Sequence, residues 1–218
     1  MTVRNFGFAA ALLLAGCGGA GGGGRENEAA SVDPAPGNKA AEAPPGPSAP
    51  GARTPAPEAV LTAEGFGPLR IGMSRAEVVK ALGEDSDPEA EGGPDPESCD
   101  QFRPERAPDG MLVMIEAGRL TSLSLIDESK VRTDRGLALG ATGAEVRAAY
   151  VKALHVSPHK YEEAPAEYLT IWAKNGPRGD SYQTPATARG IRYEVGGKGK
   201  VQSIHAGGPS IQYVEGCA

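Results

Sequence analysis

The sequence predicts an α+β fold in which two tandem repeats, each a helix followed by an antiparallel meander, form one compact region. Three observations support this prediction. Residues 69–82 recur at 137–150 with six identities, a capping motif opens each copy, and alternating apolar segments follow each of them. We therefore assign residues 61–132 to a first α+β repeat and residues 133–218 to a second.

Each copy of the repeat begins a helix with a capping box. Ser74 and Glu77 have this spacing in the first repeat, and Thr142 and Glu145 have it in the second. In a capping box the hydroxyl accepts a hydrogen bond from the backbone N–H three residues later, and the glutamate accepts one from the backbone of the cap residue. We therefore interpret both glutamates as helix caps rather than as a pair of catalytic carboxylates.

Apolar residues recur every four positions after each cap, as far as Leu82 in the first repeat and Leu154 in the second. Gly83 can adopt the left-handed conformation that ends a helix, and Pro158 has no N–H to continue one. We therefore expect the first helix to end at Gly83 and the second to continue to Pro158.

Each helix is followed by a predicted β-hairpin. Alternating segments flank a tight turn at 117–119 in the first repeat and a Gly-rich turn at 196–200 in the second. Residues 118–123 also align with residues 199–204, in the same order after the helix motif. The predicted strands are 111–116, 120–127, 167–173, 191–195, 201–206 and 211–215.

The chain begins with the features of an exported lipoprotein. Residues 1–16 combine Arg4 with a ten-residue apolar run, which is too short to span a membrane and predicts a signal peptide. The run ends in Leu14-Ala-Gly-Cys17, which resembles the lipobox of bacterial lipoproteins. The resemblance implies cleavage before Cys17, acylation of that residue and a stable anchor in the membrane.

The residue after Cys17 is Gly18, not the Asp that marks retention in the inner membrane of such lipoproteins. The resemblance therefore implies an outer-membrane lipoprotein that faces the periplasm. Residues 17–60 are rich in Gly and Pro and cannot bury enough apolar surface to fold, so we expect a lipidated, disordered tether.

The charge of the chain argues against nucleic acid as a partner. The formal net charge is −6, from 28 acidic and 22 basic residues, and no Lys/Arg-rich stripe occurs. The glycines at 21–24 lie in the tether, with no strand or helix around them to form a phosphate-binding loop. We therefore expect no nucleic-acid partner and no cofactor.

Cys99 and Cys217 are the cysteines that remain after lipidation of Cys17. An even number of cysteines in an oxidising compartment predicts a disulfide. This bridge would tie the first repeat to the predicted C-terminal strand. A reactive thiol is the alternative, and it would need an activating histidine nearby.

The three histidines are His155, His159 and His205, and they predict no metal site. His155 and His159 have the spacing of a ligand pair on a helix, but Pro158 interrupts that helix. We expect His159 to lie in a turn after the second helix. The Arg-Gly-Asp-Ser stretch at 178–181 stands in a predicted loop, and no Asp-x-x-His follows it, so we assign no catalytic residue.

Residues 69–83 resemble the Ile-Arg-x-Gly-Met-Thr-x-x-x-Val-x-x-x-Leu-Gly signature of SmpA/OmlA-like outer-membrane assembly lipoproteins, and the hairpin at 118–123 resembles the end of the same fold. Two such units in tandem are similar to the β-lactamase inhibitor protein, which binds enzymes through a sheet surface. The second copy departs from the signature at Ala141 and Gly143. The matching positions are structural, so the resemblance implies no site residues.

Two classes of function follow. The first is a non-enzymatic binding or assembly module of the cell envelope, which binds a protein or an envelope polymer through a sheet face. The alternative is a periplasmic hydrolase whose active site is scattered along the sequence. A deep cleft with convergent His, Asp or Glu side chains would favour the hydrolase. A sheet surface rimmed by Tyr168, Trp172 and Tyr193 would favour binding, unless these aromatics pack in the core.

Overall fold

The computed structural model describes residues 59–89, 92–93, 95–151, 154–175, 182 and 185–217. The predicted signal peptide, Cys17 and all of the predicted tether except residues 59–60 lie outside the described residues, as does the 178–181 stretch. The described residues belong to one compact unit.

The described part of the chain has an α+β fold with two antiparallel sheets. The small sheet has the order β1-β2-β3, and the large sheet has the order β4-β5-β6-β10-β9-β8-β7. The small-sheet strands are β1 (Leu61–Thr62), β2 (Gly65–Phe66) and β3 (Leu69–Arg70). The large-sheet strands are β4 (Cys99–Phe102), β5 (Met111–Glu116), β6 (Arg119–Leu125), β7 (Leu154–Pro158), β8 (Glu167–Lys174), β9 (Arg189–Val195) and β10 (Val201–Gly207).

Both predicted capping boxes are present, at the starts of α1 (Arg75–Leu82) and α2 (Gly143–Ala149). The backbone N–H of Ser74 donates to Glu77 Oε2 at 2.8 Å, and that of Thr142 donates to Glu145 Oε2 at 2.6 Å. These backbone hydrogen bonds are the main cause of the lowered pKa of each glutamate.

The second helix is shorter than predicted. It ends at Ala149, and Pro158 ends the strand β7 instead of a helix. Leu154, expected on the apolar face of the helix, pairs with Ile171 of β8. Pairing with β8 satisfies the backbone groups of this segment, and such tertiary pairing outweighs the weak tendency of a short sequence to remain helical. His155 therefore lies on a strand, and the turn that contains His159 follows a strand.

The hairpin turn between β5 and β6 matches the prediction. Ala117 and Gly118 both have positive φ, 47° and 73°. Two such residues in succession form the kind of tight turn whose twist suits an antiparallel hairpin. The pairing of Glu116 with Arg119 then sets the register of the two strands.

The predicted strand at 211–215 is wrong. The chain forms a 3₁₀ helix over Pro209–Gln212 instead, and residues after it continue across a face of the large sheet. The strand β10 lies in the middle of this sheet, between β6 and β9, so no free edge is available to the chain that leaves it. Cys99 begins the edge strand β4.

The two faces of the large sheet differ. One face packs in the core with Val78 and Leu82 of α1 and Val146 of α2, and we call it the helix face. Because successive side chains on a strand point to opposite faces, the intervening residues form a second face, which we call the outer face. Its central side chains are Leu112, Met114, Ser122, Ser124, Arg192, Glu194, Ser203 and His205.

Each helix start is hydrogen bonded to the strand after a hairpin turn in the same way. In both places a glycine N–H donates to the carbonyl of a strand residue. The N–H of that strand residue then donates to the carbonyl of the residue that follows the glycine. The bonds are Gly72 N to Leu120 O (2.8 Å), Leu120 N to Met73 O (2.7 Å), Gly140 N to Val201 O (2.9 Å) and Val201 N to Ala141 O (2.8 Å).

We predict that loss of either cap destabilises the whole fold. Ser74→Ala and Thr142→Ala should each lower the free energy of unfolding by about 1 kcal/mol, because each leaves a helix N–H without its partner. Urea denaturation would measure this, with Ser74→Thr and Thr142→Ser as controls that keep the hydroxyl. Unchanged midpoints in both alanine variants would contradict the role of the caps.

Candidate functional site

The chain that follows β10 crosses the outer face, and we call residues 208–217 the C-terminal segment. Ile211 is 1% exposed, and its carbonyl accepts a hydrogen bond of 3.2 Å from Nη1 of Arg192. A Cβ on Gly190 would lie 2.7 Å from Trp172 Cε3 and 3.2 Å from Ile211 Cδ1, so the glycine provides the space in which Ile211 packs.

The far end of the C-terminal segment is fixed by a disulfide between Cys99 and Cys217. Their Cα atoms lie 5.5 Å apart, although 118 positions separate them in sequence. Cys99 is on the edge strand β4 and the segment starts from the central strand β10. The segment is therefore attached at both ends and covers the sheet between them, so the outer face is not the open surface that a simple sheet-binding mode requires.

Arg192 is a buried cation on the outer face, with 6% of its surface exposed. Its guanidinium lies 3.6 Å from the centroid of the Tyr168 ring, which also stacks on His159 at 4.7 Å between centroids. Burial lowers the pKa of Arg192, while the neighbouring Tyr168 and Glu194 oppose that effect. The buried cation fixes both the aromatic ring and the C-terminal segment.

A cavity of about 430 Å³ lies between the outer face and the C-terminal segment, and we call it the outer-face cavity. Its lining combines hydroxyl, amide, imidazole and carboxylate groups with aliphatic side chains. The lining residues are Gln101, Leu112, Met114, Ser122, Ser124, Ile126, Asp127, Glu194, Gln202, Ser203, His205, Ser210, Tyr213, Val214, Glu215 and Gly216.

A chain of hydrogen bonds runs along one wall of this cavity. Ser124 Oγ lies 2.8 Å from His205 Nδ1, and His205 Nε2 lies 2.9 Å from Ser203 Oγ. Ser203 Oγ donates to Glu194 Oε2 at 2.9 Å. We assign the proton of neutral His205 to Nε2. With this tautomer Ser124 donates to His205 Nδ1, His205 Nε2 donates to Ser203 Oγ, and Ser203 donates to the carboxylate of Glu194.

His159 supports the same carboxylate from the other side. Its Nδ1 accepts hydrogen bonds from the backbone N–H groups of Tyr161 and Glu162, at 3.2 and 3.0 Å. The proton must therefore be on Nε2, which lies 3.0 Å from Glu194 Oε1. Gln202 Nε2 donates to the same oxygen at 2.9 Å.

These partners hold the pKa of Glu194 well below its ordinary value. Interaction with His205 is the largest cause, burial acts in the opposite direction, and His159, Gln202 and Ser203 lower the pKa further. His205 Nε2 is 3.8 Å from Glu194 Oε2, which is too long for a direct hydrogen bond. We therefore attribute the effect of His205 on the pKa of Glu194 mainly to the hydrogen-bonded chain, in which Ser203 connects the two side chains.

Ser124 and His205 resemble a catalytic nucleophile and its base, since the two side chains are within hydrogen-bonding distance. However, the second nitrogen of His205 faces the hydroxyl of Ser203 instead of a carboxylate, and Ser124 is only 3% exposed. A triad needs the carboxylate to orient the base directly. The arrangement is better suited to presenting fixed polar groups to a bound molecule.

Ser210 is a buried polar residue of the C-terminal segment. It lines the outer-face cavity and is 5% exposed, and its Oγ has no hydrogen-bond partner among the described residues. Buried hydroxyls in folded proteins nearly always have a partner, because an unpaired one costs free energy. Because the Oγ atom is itself fully buried, its unpaired state is a cost to the fold and not a group presented to the cavity.

A second cavity, of about 540 Å³, lies beside the disulfide and shares residues 213–216 with the first. Burial and the carboxylate of Glu116 raise the pKa of Tyr213 to about 12, so its phenol is neutral and able to donate. Glu215 pairs with Lys160 at 3.2 Å and accepts from the hydroxyl of Tyr161. These contacts fix the C-terminal segment between the two cavities.

The structure separates the residues that the sequence singled out. The cap residues Ser74, Glu77, Thr142 and Glu145 lie at the helix starts and do not line the outer-face cavity. Among the described residues, no group of His, Cys, Asp or Glu is arranged to hold a metal ion. Neither described helix is long and apolar enough to cross a membrane.

The three aromatics do not form a rim around an open sheet surface. Tyr193 is fully buried on the helix face, where its hydroxyl lies 3.0 Å from that of Tyr150, and Tyr168 is buried on the outer face beside Arg192. Trp172 is half-buried near Gly190. Both tyrosines are buried packing residues, which is the alternative that the sequence left open for them.

Sequence reasoning missed the cluster formed by His205, Glu194 and the serines. The available signal was a set of polar residues at alternate positions in two otherwise apolar strands of one hairpin, where Ser203 faces Glu194. Ser124 could not be added from that pattern, because it belongs to a strand 81 positions away from His205.

Comparison with known proteins found no matching family model, no matching curated protein and no matching solved structure.

We predict that the stability of the protein decreases in acid through Glu194. Because its pKa is lower in the folded than in the unfolded chain, ionised Glu194 stabilises the fold above its ordinary pKa of 4.5, and this stabilisation is lost as the pH falls further. Urea midpoints between about pH 7 and about pH 3 should drop less steeply in Glu194→Gln than in the wild type. The exposed Glu128→Gln is the control, and an unchanged slope in Glu194→Gln would contradict the prediction.

We also predict that Ser210→Ala maintains or increases stability. Removing a buried hydroxyl without a partner should raise the free energy of unfolding by up to about 1 kcal/mol. Ser129 is a matched control, because its Oγ is also buried and unpaired but lies outside the cavity lining. Thermal unfolding of both variants measures the effect, and a clear loss of stability in Ser210→Ala would mean that its hydroxyl is already bonded.

Proposed function

We propose that this protein is an outer-membrane lipoprotein that faces the periplasm and acts as a non-enzymatic binding or assembly module. In this proposal the outer-face cavity is the binding site, and its ligand is an envelope protein or polymer, or a part of one. The observation that carries the proposal is the cavity itself, which lies on the sheet face opposite the helices and has the hydrogen-bonded groups of Ser124, His205, Ser203 and Glu194 in its lining.

We further propose that the folded region consists of two copies of one unit, residues 61–132 and 133–218. The matching hydrogen bonds at the two helix starts support this interpretation, since the glycines at 72 and 140 make equivalent contacts. The pairing of β6 with β10 supports it as well. In the sequence alignment of the two halves, Leu123 corresponds to Ile204 and Leu125 to Ala206. In the sheet the partners are reversed, since Leu123 pairs with Ala206 and Leu125 pairs with Ile204, as a two-fold relation between the halves requires.

This register puts Ser124 opposite His205, midway between the two reversed pairs. A two-fold axis relating the two copies would therefore pass between these residues, which also line the outer-face cavity. Binding sites are common at such junctions, because residues from two units converge there. The proposed duplication and the proposed site therefore depend on the same pairing of strands. Resemblance to SmpA/OmlA-like lipoproteins and to the β-lactamase inhibitor protein is consistent with both.

The anchoring part of the proposal rests on the lipobox, Leu14-Ala-Gly-Cys17. In cells grown with labelled palmitate, the wild-type chain should incorporate label and fractionate with the outer membrane. Cys17→Ser should remain unlabelled and should be released from the membrane by washing. Equal labelling of the two proteins would contradict lipidation at Cys17.

The binding part can be tested by site-specific photo-crosslinking in cells. A photoreactive residue replacing Ile126, which lines the outer-face cavity and not the second cavity, should give discrete crosslinked species that mass spectrometry can identify. The same residue at Val151, which is 80% exposed and outside the lining, is the control. Identical products at both positions, or none at Ile126, would contradict a binding site at the cavity.

The hydrolase remains a second candidate, because Ser124 Oγ and His205 Nδ1 lie 2.8 Å apart in the cavity wall. An active Ser–His pair should react with a fluorophosphonate probe, and the labelled peptide would contain Ser124. A binding module should not react at this position. Labelling of the wild type that disappears in Ser124→Ala would favour the hydrolase over the proposal made here.

A further inference from the structure

Exposed aromatic side chains are concentrated around the end of the C-terminal segment. Among the described residues, seven large hydrophobic side chains are exposed, and four of them belong to this one region. We call these four the tyrosine patch: Tyr161, Tyr182, Tyr213 and Val214. A contiguous group of exposed aromatics is typical of a protein interface, where tyrosine often supplies much of the binding energy.

Contacts with the C-terminal segment hold the tyrosine patch together. The hydroxyl of Tyr161 donates to Glu215, and the disulfide fixes the end of the segment. Burial raises the pKa of both Tyr182 and Tyr213, and the carboxylate of Glu116 raises both further, so this carboxylate lies near both phenols. Because the segment is restrained in advance, a partner that binds the patch loses little of its affinity to ordering it.

Glu116 gives this surface a preference for a cation. Its side chain is half-buried and lines the second cavity. Lys160 also lines that cavity, but it is paired with Glu215, whereas Glu116 forms no ion pair among the described residues. A half-buried carboxylate beside neutral phenols attracts a cation, because the ring faces are negative and water screens the charge less than in bulk solvent.

The same combination of groups already binds an arginine elsewhere in the fold. The guanidinium of Arg75 lies 4.5 Å from the centroid of the Phe102 ring and pairs with the carboxylate of Asp100. A guanidinium suits such a site because its plane can stack on a ring while its N–H groups donate to a carboxylate. The second cavity has a ring and a carboxylate, and no arginine is among its described lining residues.

We propose that the second cavity receives an arginine side chain of a protein partner, whose neighbouring residues pack on the tyrosine patch. The guanidinium bonds to Glu116 and stacks on Tyr213, and the aliphatic stem contacts Val214. The cavity volume of about 540 Å³ lies within the range of sites that enclose a small organic group. This site is additional to the outer-face cavity, so the inference does not depend on the proposed function.

The test compares three capped tripeptides that carry arginine, citrulline or glutamate between two alanines. Citrulline has nearly the shape of arginine but no charge. In an NMR titration of the full chain in detergent micelles, the arginine peptide should shift the amide signals of Ser98, Glu116 and Tyr213. The citrulline peptide should bind about tenfold more weakly, because it lacks the charge-assisted hydrogen bond and the cation–π contact. The glutamate peptide should leave these signals unchanged.

Two pairs of variants locate the contacts. Glu116→Gln should make the arginine and citrulline peptides bind equally, whereas Glu128→Gln, exposed and outside the lining, should preserve the preference for arginine. Tyr213→Leu should weaken the arginine peptide severalfold, whereas Tyr213→Phe keeps the ring and should retain most of the binding. Unchanged signals from the helix face would show that each variant is folded.

Equal binding of the arginine and citrulline peptides to the wild type would overturn the inference, as would the absence of any shift at the second cavity. A preference for arginine that survives in Glu116→Gln would overturn it too. In cells, a photoreactive residue replacing Ser98, which lines the second cavity and not the outer-face cavity, should crosslink a partner in the wild type and not in Glu116→Gln. A crosslink that persists in Glu116→Gln would contradict the arginine contact, whatever the result at Ile126.

Discussion

The antiparallel pairing of β6 with β10 is the constraint on which the rest of the structure depends. It joins strands from the two halves of the folded region into one seven-stranded sheet. On the helix face it brings Leu123 and Leu125 together with Ile204 and Ala206 in one apolar core. On the outer face it places Ser124 beside His205. The same register therefore creates the core that stabilises the fold and the polar wall of the candidate site.

The second constraint is the position of β10 in the interior of the sheet. Since neither neighbour of β10 leaves a free edge, the C-terminal segment has to lie across a face, where Gly190 leaves room for Ile211. Arg192 and the disulfide of Cys217 hold it there. In the chain-entropy account, a bridge that closes a loop of this length contributes on the order of 4–5 kcal/mol. This attachment adds a wall beside the sheet surface, and the outer-face cavity lies between the two.

Local features of the fold were predictable from the sequence, and features that depend on distant partners were not. The capping boxes and the turn at Ala117 and Gly118 involve residues within a few positions of each other, and the structure contains them as expected. The end of α2 and the 3₁₀ helix after β10 depend on which strands are available for pairing, so the local pattern was misleading there. The pairing of Cys99 with Cys217 was predictable from the number of cysteines together with the expected export of the chain to an oxidising compartment. The contact of Ser124 with His205 was not, because it follows from a register that only the assembled sheet defines.

The central claim is that the two halves form one cooperative sheet through β6 and β10, with the candidate site at their junction. Native-state hydrogen exchange of the full chain in detergent micelles tests this claim most directly. We expect the slowest amides of β5, β6, β9 and β10 to share a single free energy of opening, equal to that of global unfolding. Two separate values, with the strands of one half exchanging through an opening that leaves the other half protected, would contradict it.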